Sequence, residues 1–113
     1  MFFGKEVRVF LKDDARESYL KLRMRSDGQS KSILRSIERI KGILKENPQV
    51  GEPISKDMIP KKFMKMGIKN MYRLELSNYW RMLYTIEGDR VEIFVFILSI
   101  DSHKDYNKLF GYK

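Results

Sequence analysis

Residues 72–98 constrain the fold more than any other stretch, because apolar and polar side chains alternate there with the two-residue period of a β-strand. A three-residue turn at 77–79 would bring the apolar side chains of two strands together on one face. The pairs are Leu76 with Trp80, Leu74 with Met82, and Tyr72 with Tyr84. The same register places Arg73 opposite Leu83 and Glu75 opposite Arg81 on the other face. The sequence therefore predicts an antiparallel hairpin with one apolar face.

A second turn extends this hairpin into a three-stranded meander. Gly88 followed by Asp89 is typical of a type II′ turn. The predicted pairs are Ile86 with Val91, Tyr84 with Ile93, Met82 with Val95, and Trp80 with Ile97. One face of all three strands is then apolar, whereas the other face combines charged and apolar side chains. That mixed face holds Arg73, Glu75, Arg81, Leu83, Phe94, Phe96 and Leu98.

The first third of the chain predicts one strand and two helices that can cover the apolar face. Residues 5–11 alternate as a half-buried strand does. Asp13 and Asp14 favour the start of a first helix. A second helix begins at Ser30 and is stopped by Pro48. Its apolar stripe consists of Ile33, Ile37, Ile40 and Leu44.

These elements predict a two-layer α+β domain, with the two helices packed on the meander. A length of 113 residues accommodates one domain, so residues 1–113 are expected to form a single unit. Residues 48–70 contain all three prolines together with several large apolar side chains, which indicates a packed, irregular connector. Residues 101–106 can start a short terminal helix, with His103 and Tyr106 one turn apart.

Composition limits the partners and the chemistry. Lys and Arg outnumber Asp and Glu by 23 to 15, which gives a net charge of +8 and favours a polyanion or an acidic protein as partner. The chain has no cysteine and one histidine, so thiol chemistry is excluded and no metal or other cofactor is expected. No stretch has the pattern of a signal peptide or a membrane span, which predicts a cytoplasmic protein.

Three segments, taken in order, resemble motifs of the RelE/ParE superfamily of toxins from type II toxin-antitoxin systems. They read Tyr72-Arg73-Leu74-Glu75-Leu76, Trp80-Arg81-Met82-Leu83-Tyr84 and His103-Lys104-Asp105-Tyr106. The order of predicted elements is similar along nearly the whole chain, and residues 59–63 resemble those of a largely archaeal subgroup. The resemblance implies a RelE-like fold, in which a strand and two helices precede the meander.

Resemblance to the RelE branch implies a ribosome-associated endoribonuclease that cleaves mRNA by attack of the ribose 2′-OH, without a metal. A cognate antitoxin would hold this mRNA interferase inactive. The ParE branch has the same fold but poisons DNA gyrase, so a gyrase inhibitor or a non-catalytic protein-binding member is the alternative. A general RNA-binding module would show more exposed aromatic side chains among the basic ones.

Five residues would carry the chemistry that the resemblance implies. Arg81 would clamp the phosphate and Arg73 would add a second contact. Glu75 stands where RelE has a lysine, and it would act as a weak base or as a counter-ion. His103 has the side-chain type suited to proton transfer near neutral pH. Tyr106 would stack on a base or orient the scissile phosphate.

Each of these residues also has a simpler interpretation. Arg81 and Glu75 can form a cross-strand salt bridge, Arg73 can be solvated, His103 can lie at the surface as a cap, and Tyr106 can pack on Phe110 and Tyr112. The predicted RNA-binding residues are Lys61, Lys62, Lys65, Lys69 and Lys104, whose alternative is an ordinary basic surface. Phe94, Phe96 and Leu98 are the predicted antitoxin-docking surface.

Overall fold

Five strands and four helices form residues 1–112, the part of the chain that the computed structural model describes. The strands are β1 (Glu6–Leu11), β2 (Glu52–Pro53), β3 (Tyr72–Glu75), β4 (Arg81–Gly88) and β5 (Glu92–Asp101). The helices are α1 (Asp13–Arg23), α2 (Gly28–Glu46), α3 (Lys61–Met64) and α4 (His103–Phe110). The strands form one mixed sheet in the order β1-β5-β4-β3-β2, which confirms the α+β class. None of the described helices is long and apolar enough to cross a membrane.

The β3–β4 hairpin has the predicted register. Its pairs are Tyr72 with Tyr84, Arg73 with Leu83, Leu74 with Met82, and Glu75 with Arg81. The predicted turn at residues 77–79 is a single 3₁₀ turn. Asn78 and Tyr79 have φ angles of 58° and 63°, in the left-handed region that asparagine tolerates but that is uncommon for tyrosine. The turn therefore holds Tyr79 in a strained backbone conformation.

The predicted register between β4 and β5 is wrong by four residues. The turn lies at residues 89–91, because the carboxylate of Asp89 accepts hydrogen bonds from the backbone amides of Val91 at 2.8 Å and Glu92 at 2.7 Å. Tyr84 consequently pairs with Ile97 rather than with Ile93. Since four is an even number, the side chains of β4 and β5 predicted to face the helices still do so, whereas Val91, also predicted on this face, lies in the turn and is exposed.

A β-bulge near the end of β5 shifts the register once more. Leu83 pairs with Ser99 and Tyr84 pairs with Ile97, so Leu98 has no partner in β4. Ile97 and Ile100 belong to the core under the helices, whereas Leu98 packs on the opposite side of the sheet. The bulge thus places two consecutive residues, Leu98 and Ser99, on the same face.

The first strand pairs with the last one, and the two are parallel. Val7 pairs with Ile93 and Val9 pairs with Val95. The connection from β1 passes through α1 and α2 before the chain returns to the sheet. The sequence predicted this strand but not its neighbour, because no short turn joins the two.

Helices α1 and α2 cover one side of the sheet, here called the inner face. Helix α2 begins two residues earlier than predicted because the carboxylate of Asp27 accepts a hydrogen bond from the Ser30 amide at 2.9 Å and caps it. Its predicted stripe is buried against the central strands. The inner core includes Ile33, Ile37, Ile40, Leu44, Met82, Tyr84, Val95, Ile97 and Ile100.

The opposite side, the outer face, is also partly covered, which corrects the predicted two-layer arrangement. Ile59 and Phe63 of the connector and Tyr106 of α4 pack on Leu83 and Leu98 to form a second hydrophobic cluster. The connector is packed, as predicted, and it contains the short helix α3. Because α3 and α4 are short, this third layer leaves part of the outer face open.

Candidate functional site

The outer face brings Arg73 of β3 and Arg81 of β4 to the same tyrosine of α4. One guanidinium nitrogen of Arg73 lies 3.5 Å from the hydroxyl oxygen of Tyr106. The guanidinium carbon of Arg81 lies 5.6 Å from the centre of the Tyr106 ring, within the range of a cation–π contact. Tyr106 therefore connects the two predicted phosphate-binding arginines.

Arg81 is held firmly in this site. Its side chain is 14% exposed, and its Nη1 donates a hydrogen bond to the backbone carbonyl of Tyr79 at 2.7 Å. Its Nε lies 3.7 Å from Oε1 of Glu75, so the cross-strand salt bridge considered from the sequence is present. The buried Nε has no hydrogen-bond partner in the part of the chain described.

Arg73 has a carboxylate partner of its own. It forms an ion pair with Glu52 of β2, a residue that sequence reasoning did not single out. Hydrogen bonding to Tyr106 raises the pKa of Arg73, and the contact with Glu52 acts in the same direction. A groove of about 210 Å³ lies beside this arginine. Tyr106, Phe110 and Glu52 contribute to its lining.

His103 joins the site through an aromatic contact. It is the first residue of α4, where Ser102 caps the helix by accepting a hydrogen bond from the Asp105 amide at 3.2 Å. The imidazole is exposed, and its centre lies 6.5 Å from the ring centre of Tyr79 at an interplanar angle of 66°. Its Nε2 lies 3.3 Å from Nδ2 of Asn107. Tyr79 thus contacts His103 through its ring and the Arg81 guanidinium through its backbone carbonyl.

The contacts link all five predicted catalytic residues, but they change the interpretation of Tyr106. Its residue surface is 4% exposed, and its ring packs on Phe110 with centres 4.6 Å apart. No free ring face is available for a nucleotide base, so stacking on Tyr106, as predicted from the family, does not fit this structure. Its hydroxyl still contacts Arg73, which is a positioning contact.

The five predicted RNA-binding lysines are all exposed, but they are not equivalent. Lys61 and Lys62 belong to α3, Lys65 and Lys69 follow this helix, and Lys104 lies on α4. Nζ of Lys62 lies 2.6 Å from the carboxylate of Asp14, so this lysine already has an anionic partner. None of the described contacts joins these lysines to Arg73 or Arg81.

The predicted docking surface is partly wrong. Leu98 is buried by the bulge and the second cluster, so it is not accessible to a partner. Phe94 and Phe96 are half-buried and contact Phe10 of β1: the Phe96 ring stacks on it at a centre distance of 5.6 Å, and the Phe94 ring is tilted against it at 6.2 Å. Phe10 is the more exposed ring, and sequence reasoning missed it because it comes from the parallel strand. The accessible aromatic surface is Phe10, Phe94 and Phe96.

Asp101, at the end of β5 opposite Arg81, is a further residue missed from the sequence. Burial raises the pKa of this carboxyl group, and the negative charge of Asp105 acts in the same direction. Its Oδ2 is buried without a hydrogen-bond partner in the described residues. The end of β5 therefore carries an acidic group in an unfavourable environment.

Comparison of the chain with known protein families, curated proteins and solved structures gives no significant match. Two arginines, one histidine and one exposed tyrosine surround a partly open surface, with carboxylates of Glu52 and Glu75 beside the arginines. Such a set can bind a phosphodiester, exchange a proton and contact a base.

Proposed function

We propose that this protein is the toxin of a type II toxin-antitoxin system, with a RelE-like fold, and that it cleaves mRNA on the ribosome as an endoribonuclease. The proposal rests on one observation above all. Arg73, Tyr106, Arg81, Tyr79 and His103 form an unbroken series of contacts on the outer face. This series gives a phosphodiester two cationic partners and a proton-exchanging group nearby.

The proposed reaction is an in-line transfer within the RNA strand. The ribose 2′-oxygen forms a bond to phosphorus while the bond from phosphorus to the 5′-oxygen breaks. The 2′-OH proton passes to a general base, and the departing 5′-oxygen takes a proton from a general acid. Arg81 and Arg73 neutralise the charge that grows on the phosphoryl oxygens, and His103 supplies one of the two proton transfers. The products are a 2′,3′-cyclic phosphate and a 5′-hydroxyl end.

Glu75 is suited to a weaker role. It is exposed, and its Oε1 lies 3.7 Å from Nε of Arg81, which makes the two an ion pair at the protein surface. We propose that Glu75 is a counter-ion that holds the Arg81 guanidinium in place when RNA is absent. Phosphate binding then replaces one anionic partner of Arg81 with another.

The basic surface and the aromatic surface account for the partners in this proposal. The net charge of +8 favours ribosomal RNA, mRNA and an acidic antitoxin. Phe10, Phe94 and Phe96 offer an apolar contact that the antitoxin can cover, with Lys12 stacked over Phe96 at 5.2 Å to add a positive charge.

The decisive experiment is inducible expression of the wild type and of Arg81→Ala, with total mRNA mapped for new 5′-hydroxyl ends. We expect growth arrest and new ends inside open reading frames for the wild type. Loss of the clamp is expected to reduce cleavage by about 10²–10³-fold, because Arg81 neutralises charge that develops in the transition state. Arg81→Met retains most of the aliphatic part of the arginine side chain, so it serves as a second variant whose folding is less disturbed than that of Arg81→Ala.

Arg90→Ala is the matched control, since Arg90 is an exposed arginine in the turn beyond the far end of β4. It should cleave like the wild type. Growth arrest without new RNA ends would instead indicate a gyrase inhibitor. Absence of arrest in a folded wild-type protein would indicate a protein-binding role without catalysis.

A further inference from the structure

The side chain of Tyr79 is exposed although its backbone is strained. The residue is 77% exposed, so burial of apolar surface does not explain why an aromatic ring is present in this turn. Its φ of 63° lies in the left-handed region, where glycine or asparagine would fit with less strain. Strain of this kind occurs at functional sites, where the surrounding structure maintains it.

The position of Tyr79 within the site is specific. Its backbone carbonyl accepts the 2.7 Å hydrogen bond from Arg81, which ties the turn to the proposed phosphate clamp. Its ring lies next to His103, the proposed proton-exchanging residue. A nucleotide whose phosphate contacts Arg81 would therefore have an exposed aromatic ring beside its base. Tyr106, by contrast, is buried and has no ring face to offer.

We propose that Tyr79 is the stacking platform for the RNA base next to the scissile phosphate. The inference rests on the proposed function and adds the residue that binds the substrate base. Stacking on an aromatic ring accepts every base, since each base has a π-face, and single-stranded RNA is the substrate class that presents free bases. The backbone of Tyr79 is left-handed and its ring is exposed. The hydrogen bond from Arg81 to the Tyr79 carbonyl fixes the backbone that carries this ring.

The test measures RNA binding separately from cleavage. A short single-stranded RNA with 2′-O-methyl riboses cannot undergo 2′-OH attack, and a fluorescent label reports its binding by anisotropy. Tyr79→Gly removes the ring, keeps the carbonyl and suits the positive φ. We expect it to weaken binding by about 5- to 150-fold, the range for loss of one stacked base. Tyr79→Asn should weaken binding similarly, and Tyr79→Phe should bind like the wild type.

Phe3→Gly is the matched control, because Phe3 is also an exposed aromatic residue with a positive φ, at 87% exposure and 49°. It lies in the N-terminal segment before β1 and has no contact with the site residues in the described structure. Binding by Phe3→Gly should equal that of the wild type. Thermal unfolding of Tyr79→Gly should occur at or above the wild-type temperature, because the substitution relieves backbone strain.

The outcomes separate the two proposals. If Arg81→Met weakens binding and Tyr79→Gly and Tyr79→Asn do not, the stacking role is wrong and the phosphate clamp stands. If Arg81→Met also binds like the wild type, the RNA lies elsewhere and the proposed site fails. Absence of wild-type binding to the free RNA overturns the stacking proposal, whereas the proposed function on the ribosome is overturned only if expression of the wild type gives no new 5′-hydroxyl ends. A lower unfolding temperature for Tyr79→Gly would show that the ring stabilises the fold, which contradicts a free platform.

Discussion

The two faces of the sheet differ in how their polar groups are satisfied. On the inner face the hydroxyl of Tyr84 is buried, yet it donates to the Pro48 carbonyl at 2.7 Å and accepts from the Gly51 amide at 2.9 Å. On the outer face Arg81, Ser99 and Asp101 each have a buried polar atom without a partner among the described residues. Unsatisfied buried groups lower stability, so a fold retains them where they serve another purpose.

The cover of each face explains this difference. Two helices, α1 and α2, cover most of the inner face, and Ile37 and Met82 there are fully buried. The outer face is covered by a connector and a terminal helix of eight residues, which leave space around Arg73 and Arg81. The inner face therefore maintains the fold, whereas the outer face accommodates charged groups at some cost in stability.

Among the substitutions that test the difference between the two faces, His103→Ala on the outer face is expected to have the largest effect. Loss of a general acid or base should reduce RNA cleavage by about 10²–10⁴-fold, while the free energy of unfolding stays nearly unchanged because the imidazole is exposed. Single-turnover cleavage and denaturant unfolding of the same variant measure the two quantities. Lys108→Ala on the same helix is the control. A loss of cleavage below tenfold would assign His103 to the helix surface only.

The complementary change is Ile37→Ala on the inner face. Truncation of this fully buried side chain should lower the free energy of unfolding by about 2–5 kcal/mol. RNA cleavage per folded molecule should not change, because Ile37 lies on the other side of the sheet from the site. Ile43 is a half-exposed isoleucine of the same helix, so Ile43→Ala should lower the free energy of unfolding much less. An equal decrease in the free energy of unfolding for the two variants would contradict the assignment of the inner face as the main core.

The smallest effect is expected for Asp101→Asn. Burial raises the pKa of Asp101, so the folded state favours the protonated carboxyl group. The stabilisation from protonation is complete below the unfolded pKa of about 3.9 and is lost as the pH rises through the folded value. At neutral pH the variant, which has no charge to bury, should unfold with a free energy higher by about 0.5 kcal/mol.

Unfolding measurements at neutral pH and below the ordinary aspartate pKa check this prediction for Asp101. The difference between wild type and Asp101→Asn should disappear in acid, where both side chains are neutral. A variant that is less stable at neutral pH would mean that the charged carboxylate has a favourable partner, and the contrast between the two faces would then be smaller than described.

The β3–β4 hairpin could be predicted because its register depends on a local sequence pattern. Features that depend on contacts between distant residues could not be predicted in this way. The β3–β4 register followed from a short turn and strict alternation, which also placed Arg73, Glu75 and Arg81 on one face. The prediction of the β4–β5 register was wrong because the Asp89 carboxylate, rather than Gly88, determines the turn. An even shift preserved the two faces, so the face assignments survived this error.

The parts of the site that were missed have physical reasons too. The direction of Tyr79 depends on a positive φ within a turn, for which side-chain periodicity gives no information. Glu52 and Phe10 reach the outer face on β2 and β1, whose pairing with β3 and β5 involves residues distant in sequence. The burial of Leu98 follows from a bulge, a feature that the alternation of apolar residues does not reveal.

The parallel pairing of β1 with β5 has a consequence for the order of folding. The hairpin that carries Arg73 and Arg81 joins neighbouring residues and can form early, whereas β1 and β5 close a loop over most of the chain and pair slowly. Helix α4, with His103 and Tyr106, follows β5 directly. A nascent or partly folded chain thus has the arginines in place on the hairpin before His103 and Tyr106 of α4 reach them.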